Sequence, residues 1–216
     1  TAKTYADMRA AASNALAASG APAAVFQAHM AHVQAVLAVL FQATDGSNLT
    51  LDPDIDSYYL MDAAFFRLPE ITEAVGLTRG LGNKVLRAGA MEPEERKLFL
   101  QQSAVARYLF SALNAGLPKS YAANPELVGK VRADDAQRAT EAFLSLAEKT
   151  FDKSIDAPAP DVATAFVAQA NQVLDAQYQL ADRLLTELDA LLVKRIDGMA
   201  SKRMWATVVL VLSLLF

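Results

Sequence analysis

The chain has 216 residues, 53% of them hydrophobic, and a formal net charge of −4. That length holds one domain or at most two. The acidic balance, without any basic stripe interleaved with aromatics, argues against a nucleic-acid partner, and the absence of cysteine excludes a disulfide framework, a thiolate metal site and a Cys nucleophile.

Alanine is abundant, while only 9 Gly and 8 Pro punctuate the chain. Alanine is the best helix former and lets helices approach closely, so the composition predicts an all-α, antiparallel bundle of the four-helix type. The chain opens on Thr1 with no signal peptide and reads as an excerpt, truncated at its start. Residues 2–18 form the first predicted helix, and Ser19-Gly20-Ala21-Pro22 stops it. Ala23 to Thr44 forms the second, with Val25, Phe26, Val33, Val36, Leu37, Leu40 and Phe41 at mostly three- and four-residue steps. The turn residues Asp45-Gly46-Ser47-Asn48 end it.

A third helix is predicted from about Pro53 to Ala88, with a kink at Pro69, whose ring clashes with the carbonyl of Phe65. A fourth spans Glu94 to Asn114 and is expected to stop at Gly116 and Pro118. A fifth runs from about Pro125 to Thr150. The last could be continuous from Asp161 to Phe216, roughly 84 Å at 1.5 Å per residue. Its inward seam is Val162, Phe166, Val173, Leu180, Leu184, Leu188 and Leu191, with Gln177 on the same face. The seam is coiled-coil-like and suggests a homodimer.

The final stretch, Met204 to Phe216, has no charge and no helix breaker. It is about two-thirds of a membrane span, which needs roughly 20 apolar residues. Trp205 stands at its mouth as an interfacial aromatic, and Lys202 and Arg203 precede it. The expected division is therefore a helical sensor domain over residues 1–200 and the start of a transmembrane helix over 201–216. The basic pair by itself would put the preceding domain in the cytoplasm.

Residues 45–70 are the densest in chemistry. Asp52, Asp54 and Asp56 alternate, but a calcium loop beginning at Asp52 would have Ser57 where Gly is needed and Ala63 where Glu is needed. They read better as a helix start, with Asp52 as N-cap, Pro53 in the first helical position, and Asp54 and Asp56 facing the helix dipole. Asp62 lies inside the apolar run Tyr58 to Phe66, where a carboxylate needs a partner. It is one half of a structural polar pair, a ligand contact, or a partly exposed residue. Tyr59, Asp62, Arg79 and Arg107 are the candidate ligand-binding residues.

His29 and His32 share a helical face without a carboxylate–histidine partner motif elsewhere, so no metal site is predicted. No nucleophile set, P-loop or dinucleotide fingerprint is present. The segment is expected to need no cofactor and to be no enzyme itself.

Ser47-Asn-Leu-Thr-Leu-Asp-Pro-Asp-Ile-Asp-Ser-Tyr-Tyr-Leu-Met-Asp62, followed by Arg67-Leu-Pro-Glu70, resembles the periplasmic sensor region of bacterial transmembrane receptors. These are methyl-accepting chemotaxis proteins, and diguanylate cyclases and histidine kinases with similar input domains. The resemblance is sharp over about 25 residues and looser elsewhere. It implies a periplasmic domain between two inner-membrane helices, with a HAMP linker and an output domain downstream. It carries no ligand residues over. Two functions follow as expectations. In one, a small molecule binds the bundle and displaces the last helix. In the other, the bundle is a structural or dimerisation module without a ligand. A polar-lined cavity near Asp62, Tyr59 and an arginine would favour the first.

Overall fold

The computed structural model describes residues 2–152 and 155–215. The fold is all-α, and no strand occurs among the described residues. In chain order come α1 (Ala2–Ala17), α2 (Pro22–Gly46), a 3-10 turn (Leu49–Leu51) and α3 (Ile55–Met61). A π-helical turn (Asp62–Arg67) then leads into α4 (Leu68–Ala88). α5 (Pro93–Ala123), α6 (Leu127–Val131), α7 (Asp134–Phe151) and α8 (Pro160–Leu215) complete the chain. Phe216, with which the expected last helix closes, lies outside the described residues.

Helices α4, α5, α7 and α8 form the bundle: α4 packs on α5, α5 on α7, α7 on α8, and α8 back on α4. α3 continues α4 and packs on α5 and α8. At the distal end Phe99 stacks near Phe151 (ring centroids 4.5 Å), and Phe166 meets both Phe143 (5.1 Å) and Phe151 (5.6 Å). Tilted and edge-on pairs of this kind suit the aromatic quadrupole. There the Ala159 N–H also donates to the Leu86 carbonyl at 2.7 Å, closing the loop before α8 onto α4. The opposite, proximal end holds the turn after α2, the start of α3 and the end of α5.

The hairpin α1–α2 stands beside this bundle. Thr4 donates to Gln42, so the start of α1 lies by the end of α2. α2 is apolar yet buries only Thr44 fully, with Phe26 and Val36 exposed. It is the one helix among the described residues that is long and apolar enough to cross a membrane by length and composition. On the bundle side Phe41 stacks on Phe66 at 5.2 Å, pinning the hairpin to the π turn.

Several sequence expectations change. The third helix starts at Ile55 with Asp54 at its cap, because Asp52 instead accepts the Asp54 N–H at 3.0 Å and pairs with Arg195 of α8. Pro69 falls in the first turn of α4, just after the six-residue π turn, a place where a missing N–H is tolerated. α5 runs through Gly116 and Pro118 to Ala123. An interior proline costs roughly 3 kcal/mol, but Leu117 and Ser120 are fully buried and Ser120 Oγ donates to the Asp56 carbonyl at 2.8 Å. The predicted fifth helix is two, broken where Arg132 turns left-handed (φ 46°). Along α8, Val162 is exposed and falls outside the seam, whereas Phe166, Val173, Gln177, Leu180, Leu184 and Leu188 are buried.

Candidate ligand-binding site

A π-helical turn leaves backbone groups out of the ordinary ladder and is frequent at functional sites. Here it sets Asp62 and Arg67 five residues apart on one side of the helix, where Arg67 Nε donates to Asp62 Oδ2 at 3.0 Å. The carboxylate that sequence reasoning singled out thus has a guanidinium partner from its own turn. Arg67 is held above the usual arginine range, first by that hydrogen bond and then by the charge of Asp62, with Tyr108 and Glu70 adding smaller effects. Its two terminal nitrogens make no hydrogen bond among the described residues.

This ion pair borders an open cavity of about 430 Å³, walled by Phe41, Phe66, Tyr58, Met61, Thr50 and Glu70. The volume is within the range of small-molecule sites. Two carboxylates and one guanidinium line it, so an anion gains Arg67 only in competition with Asp62. A guanidinium edge matches a planar oxyanion through two parallel N–H donors.

The four candidate residues are not brought together: no hydrogen bond or ion pair joins any two of them. Tyr59 faces α5, where Lys119 Nζ donates to its hydroxyl at 2.9 Å and lies 4.9 Å from its ring centre. Gly116 leaves room for that ring, since a Cβ there would come 3.0 Å from it. Arg79 Nη1 donates to Asn171 of α8 at 2.7 Å. Arg107 bridges to Glu141 (2.7 Å) and Glu148 (2.9 Å) of α7, and the Glu148 hydrogen bond is the largest influence raising its pKa. Only Asp62 borders the cavity. Sequence reasoning missed Arg67: the motif places an arginine five residues after the carboxylate, a spacing that brings the two together only across a π turn.

Two further polar features belong to the interior. Gln177 of α8, 2% exposed, accepts from Thr72 of α4 at 3.0 Å and donates to Thr140 of α7 at 3.1 Å. The phenol of Tyr121 is buried without a partner, and burial, more than the nearby Asp134, pushes it up to about 12. Among the described residues no group of His, Cys, Asp or Glu is arranged to hold a metal ion.

The chain is thus a helical bundle with a cavity on its flank and one helix far longer than the rest. Residues 2–189 match the family described as NIT, nitrate and nitrite sensing, and the chain belongs to that family. It is a sensing domain of the extracytoplasmic kind found in bacterial receptors. No curated protein and no solved structure matches it.

Proposed function

We propose that this chain senses nitrate, nitrite or a similar small planar oxyanion, and that the anion binds the free edge of Arg67 in the cavity beside the π turn. The observation that carries this reading is Arg67 itself: a guanidinium with unused donors on an open cavity, in a family described by nitrate and nitrite sensing. Binding weakens the Asp62–Arg67 pair that spans the turn. Relaxation of the turn then moves α4 against α8, and helix shifts of about 1–2 Å suffice for signalling. The domain sits in the periplasm of a receptor held in the bacterial inner membrane through the apolar end of α8, works as a homodimer, and drives chemotaxis. It performs no chemistry of its own. Exposed apolar residues on α8 from Ile196 to Leu212 support the membrane and dimer assignments.

The acidic excess and the faces of Phe41, Phe66 and Tyr58 favour a second reading, an organic cation as ligand. Calorimetric titration of the chain with nitrate, nitrite, chloride and a panel of amines separates the two. Saturable heat from nitrate or nitrite that disappears in Arg67→Ala, with helicity retained, is the expected result. Heat from the amines alone removes the anion reading.

A further inference from the structure

We propose that Arg195 is a latch that fixes the axial position of α8 against the Asp52-Pro53-Asp54 turn, so that the sensing movement must work against it. Its Nη2 lies 3.0 Å from Asp52 Oδ1, 2.7 Å from Asp54 Oδ2 and 2.6 Å from Ser57 Oγ. The Asp52 side chain is 1% exposed and its second oxygen has no partner, so this carboxylate depends on Arg195 for its counter-charge. Losing one partner of such a buried pair is costly, because it strands the other charge.

The position of the contact gives it its meaning. Arg195 is the last α8 residue that the bundle holds: every α8 residue from Ile196 to Ser213 is exposed. Any displacement of α8 carried toward its apolar end therefore passes through this one grip. The grip also joins the sensing motif to the signalling helix, since Asp52, Asp54 and Ser57 lead directly into the helix that carries the π turn.

The latch has room to move. A cavity of about 250 Å³ beside it is lined by Asp54, Asp56, Asn124, Leu191, Lys194 and Arg195. Asp56 is held at the end of α5, accepting from Nδ2 of Asn124, the residue that follows that helix, at 3.2 Å. A guanidinium sliding with α8 thus passes from Asp52 and Asp54 toward a third carboxylate, Asp56, across that space, which gives the two discrete arrangements a switch requires. Three acceptors crowd one nitrogen that has two hydrogens, so no single partner holds it completely.

The test uses the chain in lipid nanodiscs, spin-labelled through Val128→Cys on α6 and Met199→Cys on α8, both exposed and in a protein without other cysteines. The expected result is a narrow apo distance distribution that shifts by about 1–2 Å with nitrate. In Arg195→Gln and in Asp54→Asn the shifted population should be present without nitrate, and Arg195→Lys should restore part of the narrow one. Asp54 is more than half exposed, so its variant keeps the test valid if Arg195→Gln unfolds. Unchanged distributions in the folded variants would overturn the latch. Only the stimulus rests on the anion reading: latch variants that shift while nitrate leaves the wild type unmoved keep the latch and remove nitrate.

Discussion

Phe166 of α8 occupies the space where Gly82 of α4 has no side chain; a Cβ at Gly82 would lie 2.4 Å from its Cε1. Phe166 is 1% exposed and ringed by Phe143 and Phe151, so it has nowhere to withdraw. Gly82→Ala is expected to destabilise by about 1–3 kcal/mol through overpacking. Gly80, half a turn away, has open space at its Cβ. There alanine should stabilise by about 0.5–1 kcal/mol, the ordinary gain of replacing glycine within a helix. Urea unfolding of the two variants reads the opposite signs, and equal effects would mean that Phe166 does not set the α4–α8 distance.

Gln177 ties three helices through one amide, so its chemistry can be varied with its shape nearly constant. Gln177→Leu leaves Thr140 donating to the Ala136 carbonyl and Thr72 partly exposed, and should cost less than about 1 kcal/mol. Gln177→Glu replaces the buried amide donor with a carboxylate against the Thr140 oxygen, and should cost about 3 kcal/mol at neutral pH. That cost should shrink in acid, as the carboxyl takes up a proton. Thermal unfolding of both variants at pH 7 and pH 4 checks the ordering.

Two glutamates should give opposite pH signatures. Burial raises the Glu73 carboxyl above its ordinary value of 4.5. The unfolded state is then the more easily ionised, and the penalty grows as pH climbs through 4.5 and is complete above the folded pKa. Glu73→Gln should therefore raise the melting temperature at pH 7 and leave it unchanged well below pH 4.5. Glu95 is lowered, first by the hydrogen bond from Lys84 and then by the backbone N–H of Glu92 that it caps. Its contribution is present above pH 4.5 and is lost as pH falls through the depressed folded value. Glu95→Gln keeps the capping shape but loses the charge, so it should lower the melting temperature at pH 7 by a small amount, with the gap closing in acid.

The helices themselves were legible because alanine content and apolar spacing act locally. The bundle seam on α8 was legible for the same reason, from Phe166 to Leu188. What escaped was decided by distant residues. Pro118 reads as a stop, yet α5 continues because Asp56, 64 positions earlier in the chain, holds Ser120. Asp52 reads as a cap, yet an arginine of α8 takes it. Arg79 and Arg107 read as partners for Asp62, but Asn171 and the acidic face of α7 claim them first. The true partner, Arg67, was hidden because an α-helical reading places residues five apart on different faces, and only a π turn aligns them.

That alignment yields the sharpest prediction for the site. If an anion binds Arg67, Asp62 is its built-in competitor, since both seek the same guanidinium. Asp62→Asn keeps a side chain of the same size, removes one negative charge from the cavity, and frees the Nε donor. Nitrate affinity should then rise by roughly tenfold, the value of about 1.4 kcal/mol, which is the scale of one nearby partly screened charge. Arg67→Lys should weaken binding even though the charge is kept, because an ammonium cannot present two parallel donors to a planar oxyanion. In calorimetric titration Asp62→Asn should bind nitrate most tightly, the wild type less so, and Arg67→Lys least. Weaker nitrate binding in Asp62→Asn would show that the carboxylate orients Arg67 for the ligand rather than competing with it, and the release of the ion pair could then not be the trigger.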